Sequence, residues 1–218
     1  MIYYKGALQA YYSMNFNQFR GFIRQYWVRI VIFFVIILSA FIVFRVSGAG
    51  DNRFVPHSFL EARTNGSMIA ELIVQLSDES VKNLQEINNH DKEGNFALAS
   101  DLVRAELRRN NEARAKALDL SKQLEQMTIG LRAVQPEQAQ LLVTQAISYE
   151  ISLINRLLTY NDYLNQLLST LQSRFDGTGG SSGMVSQLLQ NLNTEAQAIN
   201  DLNAKYTATM GEFDRIYE

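Results

Sequence analysis

The chain has 218 residues, no cysteine and a net charge of −2, with 47% hydrophobic and 19% charged residues. The missing cysteines exclude disulfides, thiolate metal sites, a cysteine nucleophile and lipid attachment through sulfur. The acidic balance argues against nucleic-acid binding, and the length suits one membrane segment plus one domain.

Charge is unevenly distributed. The first 50 residues contain Lys5, Arg20, Arg24, Arg29 and Arg45 and no acid, a balance of +5, so the part from Asp51 onward carries −7. Residues 1–26 are rich in aromatics, among them Tyr11, Tyr12, Phe16, Phe19, Phe22 and Tyr26. Aromatic rings beside basic side chains suit a juxtamembrane segment at the membrane interface.

Residues 27–46, WVRIVIFFVIILSAFIVFRV, predict a transmembrane helix. At about 1.5 Å per residue this run covers roughly the 30 Å of a bilayer's hydrocarbon. Ile30, Phe33, Phe34, Ile37, Phe41 and Phe44 face lipid, while Trp27, Arg29 and Arg45 reach the interfaces and complete the anchor. Its apolar core is too long for a cleaved signal peptide, which points to an uncleaved, single-pass signal anchor. Basic residues before the span outnumber those just after it, so the N-terminus is expected in the cytoplasm and the remainder outside it, periplasmic or extracellular.

A polar linker, residues 47–57, leads to four amphipathic stretches with apolar residues at alternating intervals of three and four. The first spans about residues 58–90, with Ser58 and Glu61 as a capping box and Ile69, Ile73, Leu76, Leu84 and Ile87 inward. Asn88 to Asn95 reads as a turn. The second covers 95–132, its face formed by Ala99, Val103, Leu107, Ala117, Leu120, Leu124, Met127 and Leu131 and interrupted by Asn110. The third covers 136–175, with Pro136 at the helix start and Ala139, Leu142, Ala146, Tyr149, Leu153, Leu157, Tyr160, Leu164, Leu167 and Leu171 inward. After a glycine-rich loop, the fourth covers 184–217, burying Leu188, Leu192, Ile199, Tyr206, Met210 and Phe213. The expected fold is all-α: one N-terminal transmembrane helix, then an antiparallel up-down-up-down four-helix bundle over residues 58–218.

In that topology the turn at His90 and the glycine loop meet at the end far from the membrane. His90, Asp91, Glu93 and Asp176 are the candidate tip residues, a weak cation-binding arrangement outweighed by turn and capping roles. His57 reads as a solvated linker residue. Arg104, Arg108, Arg109, Arg114 and Lys116, with Asp101, Glu106 and Glu112 interleaved, read as a solvated face. Tyr149, Tyr160 and Tyr206 could line a ligand pocket, but tyrosines at a bundle core explain them as well.

Acid–base carboxylate pairs, Glu-x-x-His metal pairs, phosphate loops and nucleophile elbows are missing, so neither an enzyme nor a cofactor is expected. The reading is a membrane-anchored structural or protein-interaction module, a subunit of a larger assembly, whose partners are the lipid bilayer and another protein or a second copy. The alternative is a sensory or ligand-binding bundle that signals through a partner; its plan resembles the helical sensor domains of membrane receptors in architecture alone.

Overall fold

The computed structural model describes residues 54–217. The expected juxtamembrane segment, the expected transmembrane helix at 27–46 and its anchor residues lie outside these. Among the described residues no helix is long and apolar enough to cross a membrane.

The described chain forms four long helices: α1 His57–Glu93, α2 Phe96–Gly130, α3 Glu137–Phe175 and α4 Ser182–Tyr217, with one 3-10 turn at Leu131–Ala133. Each helix packs against the next. Arg109 of α2 reaches Glu79 of α1, Asn110 of α2 reaches Asn161 of α3, and Arg156 of α3 reaches Glu195 of α4, so successive helices run antiparallel. With 35 to 39 residues in each, they are about 55 Å long. We call the end holding Phe54, Gly130, Glu137 and Tyr217 the base, and the opposite end the tip.

The helix boundaries differ from the expected ones at three places, for local reasons. α1 begins at His57, and the Pro56 carbonyl accepts the amides of Phe59 and Leu60, leaving no role for the Ser58–Glu61 capping box; Glu61 instead pairs with His57 at 3.0 Å. His57 is therefore an exposed first-turn residue of α1, not part of a linker. Residues 88–93 continue α1, and the reversal is made by Gly94 and Asn95; the φ of 75° at Gly94 lets its amide reach Asp91 O while Asn95 N reaches His90 O. α4 starts at Ser182, so the glycine loop is shorter than expected.

Helical spacing puts apolar side chains on the inner faces, where they form two clusters. The base cluster is built around Phe59, Met127, Ala139, Val143, Met210 and Phe213; the tip cluster around Ile87, Val103, Leu167, Leu168 and Leu188. Phe59 and Phe213 sit 6.0 Å apart by ring centroids and are fully enclosed. Removing rings of this size from water contributes roughly 1.5–3 kcal/mol each. The inner face of α3 is wider than a single stripe, adding Val143, Ile147, Ile154 and Leu168 to the expected set.

Between the clusters lies a polar step. Asn110 is buried in α2 and donates 2.7 Å to the Asn161 backbone carbonyl, while Asn161 donates 2.9 Å to Leu157 O. A buried amide that finds its partner only at one level along the bundle favours one register of α2 on α3.

Candidate functional site: buried carboxylates, two ends and an uncharged outer face

Three glutamates stand at inward positions, one on each of α2, α3 and α4. Glu106 has 0% exposure; one oxygen accepts from Asn83 of α1 at 3.0 Å and from Arg109, while its other oxygen meets no hydrogen-bond partner. Glu106 thus belongs to the core and not to the solvated face expected for it, because Asn83 and Arg109 fold over it. Glu195 accepts 3.2 Å bonds from Arg156 at both oxygens. Glu150 is 9% exposed, and burial pushes its carboxyl up to about 7.

Glu150 lies near Tyr206 of α4, whose phenol is pushed up by burial first and by the Glu150 carboxyl second, with Arg63 opposing. Arg63 of α1 in turn donates to both oxygens of Asp214 in α4. Burial disfavours its charge, but the hydrogen bonds to Asp214 together with the Coulombic pull of Tyr206 and Asp214 leave the guanidinium pKa raised. A polar cluster therefore joins α1, α3 and α4 in the base half. Of the other tyrosines, Tyr160 is pushed up to about 12 by burial, with Glu106 adding to it, and Tyr149 accepts 2.9 Å from Gln145 at the surface.

At the tip, the four expected residues divide into separate groups. Asp91 receives Arg174 at 3.0 Å on both oxygens, which ties α1 to α3. Burial pushes the Asp91 carboxyl up and Arg174 opposes this only in part. Glu93 accepts 2.9 Å from Asn95 and lies 3.7 Å from His90. Asp176 accepts 2.9 Å from Gln172, which also donates 2.6 Å to Ser100. These carboxylates point to different partners, and among the described residues no group of three or more His, Asp or Glu side chains is placed to hold a metal ion.

At the base, Phe54 and Gln135 exchange backbone hydrogen bonds of 3.2 and 2.9 Å, and the Tyr217 hydroxyl donates to the same Gln135 carbonyl. The peptide between Gln135 and Pro136 is cis. The lead-in to α1, the α2–α3 connection and the end of α4 thus meet at one residue.

The outer surface is chemically divided. α1 and α2 are studded with charge, and the basic side chains of α2 are spread among partners: Arg104 with Asp101, Arg109 with Glu79 and Glu106, Arg114 with Asp162. Between Gln138 and Asn155, by contrast, α3 has a single ionisable acid, the buried Glu150. Between Gly183 and Asn200, α4 has only Glu195, also buried. The side chains that α3 turns to solvent over that stretch are amides, hydroxyls and two large apolar groups, Leu141 at 64% and Ile151 at 49% exposure. Thr144, Ser148 and Ser152 each donate to the carbonyl four residues back, which uses up their donors within α3.

Three comparisons with known proteins, against family models, curated proteins and solved structures, each found no match.

Proposed function

We propose that this chain is a membrane-anchored protein-interaction module, a subunit of a larger membrane assembly. In this reading residues 27–46 form a single span with the N-terminus in the cytoplasm, and the up-down-up-down bundle is displayed on the other side, base toward the bilayer. The observation that carries the interaction role is that α3 over residues 138–155 and α4 over residues 183–200 expose no charged side chain, beside the heavily charged α1 and α2. Surfaces that face only water keep their charges, whereas the centres of protein interfaces lose Lys, Glu and Asp. The buried polar groups support the same reading. Arg63–Asp214, Arg156–Glu195 and Arg174–Asp91 join helices to one another, so the interior is engaged in holding the bundle together.

Two measurements test this. Crosslinking of native membranes followed by mass spectrometry should yield a stoichiometric neighbour linked through α3 or α4; a chain with no neighbours would sink the module reading. Protease added to sealed cells should digest the bundle, and its protection would overturn the orientation.

A further inference from the structure

Resting on the membrane-anchored reading, we infer that the base of the bundle is a lipid-docking surface: Phe54, Ile129 and Leu141, arranged around the α2–α3 connection, enter the headgroup layer of the bilayer that holds the span. These three, exposed by 55, 66 and 64%, are the most exposed of the large hydrophobic side chains among the described residues. The fold brings them to one end. Phe54 is held against the connection by its two backbone bonds to Gln135, Ile129 lies in the last turn of α2, and Leu141 stands one turn into α3. The side-chain amide of Gln140, beside Leu141, donates 3.2 Å to Leu131 O and so fixes the start of α3 against the end of α2.

What covers this end follows from the chain ahead of it. Only residues 47–53 separate the expected span from Phe54. Even fully extended they reach less than about 30 Å, so the base never leaves the neighbourhood of the bilayer. A surface tethered in this way meets lipid at high effective concentration, and a few apolar contacts then suffice to keep it seated. The chemistry of the connection fits the headgroup layer. Across residues 126–136 the only charged side chain is Arg132, which is exposed and long enough to lay its methylenes on lipid with its guanidinium among the phosphates. The backbone of the connection carries its hydrogen bonds internally: Leu131 O accepts from Val134 N and Gln140, Gln135 O from Phe54 N and the Tyr217 hydroxyl, and Pro136 O from Ala139 N. It can leave bulk water without losing them. Around the base the exposed Glu61, Glu137 and Glu212 offset Arg132 and Arg215, so apolar insertion, and not attraction to anionic lipid, carries the contact.

The test uses the full chain in phosphatidylcholine vesicles. It has no cysteine and one tryptophan, Trp27, so an introduced thiol is unique and Trp27 reports on the span by itself. Ile129→Cys and Leu141→Cys, each carrying the dye NBD, should be quenched by lipids bearing a nitroxide near the headgroup. The same dye on Leu98→Cys and Met184→Cys, exposed near the tip, should not be. Adding Phe54→Ser and Ile129→Ser to Leu141→Cys, exposed changes that leave helicity by circular dichroism intact, should lower the docking equilibrium read at the dye about tenfold while quenching of Trp27 by brominated lipid is unchanged. Base dyes quenched no more than tip dyes, with Trp27 still quenched, would overturn the docking and leave the anchored module standing. Base quenching that survives both serine changes, or that needs anionic lipid, would overturn apolar insertion at these residues. If brominated lipid does not reach Trp27, the span is lost and the docking with it.

Discussion

Arg63, near the start of α1, donates two hydrogen bonds of 2.7 and 2.8 Å to Asp214, near the end of α4, so the first helix is fastened to the last by a largely buried ion pair. Removing one partner leaves the other charge enclosed without compensation. Arg63→Ala should therefore destabilise the bundle by about 3 kcal/mol, and Asp214→Ala by a similar amount. Replacing both with leucine should recover most of the loss. Urea unfolding of the full chain in micelles, followed by circular dichroism, would measure this. Single-variant losses below about 0.5 kcal/mol would mean that solvent already screens the pair.

Glu150 gives the bundle a pH dependence of defined sign. Burial raises its folded pKa to about 7, above the ordinary glutamate value of 4.5. Between those two values the folded state holds a proton that the unfolded chain releases, so stability falls as pH rises through this window and levels off above it. The full effect is about 3 kcal/mol. Glu150→Gln should consequently stabilise the bundle at pH 8 and leave it unchanged near pH 4. A variant whose unfolding midpoint follows pH in the same way as the parent would refute the assignment to Glu150.

Asn110 should matter more for register than its single hydrogen bond suggests. Asn110→Ala removes the donor to Asn161 O and opens a small void, at a cost of about 1–3 kcal/mol. Asn110→Leu keeps the branching at Cγ and joins the two apolar clusters into one. We expect it to recover stability but to broaden the amide resonances of α2 and α3 as neighbouring registers become populated; a single sharp set would exclude that role.

The glycine loop contains one position that admits no side chain. Gly180 has φ of 105°, and a Cβ there would lie 2.8 Å from the Thr170 carbonyl oxygen. Gly180→Ala should cost at least 1 kcal/mol. Gly183, already helical and with open space around it, should accept alanine with a gain of roughly 0.5 kcal/mol. Thermal unfolding of the two variants should shift the midpoint in opposite directions.

Most of the fold was legible because burial and helical period coincide: the four stripes predicted the four helices, with ends displaced by a few residues. The displaced ends have local causes: the Pro56 carbonyl takes the first free amides of α1, and that helix runs on through Asn88 to Glu93 until the positive φ of Gly94 ends it. The buried glutamates were readable but overlooked. Glu106 follows Val103 by three, Glu150 follows Ala146 by four, and Glu195 follows Leu192 by three, so all three are in phase with the stripes. A charged residue in an apolar phase is the available signal. What phase cannot supply is the compensating group, since Asn83 for Glu106 comes from another helix. The topology puts His90, Asp91, Glu93 and Asp176 at one end of the bundle, yet they do not converge, because Arg174 takes both oxygens of Asp91.

The backbone bridge between Phe54 and Gln135 has a mechanical consequence. A pull on the chain ahead of Phe54 does not peel α1 away from its first turn. It loads the two amide–carbonyl bonds to Gln135 first, and through Gln135 it reaches the α2–α3 connection and the Tyr217 hydroxyl of α4. Tension arriving from the N-terminal side is thus passed at the base to the α2–α3 connection and to the end of α4 as well as to α1.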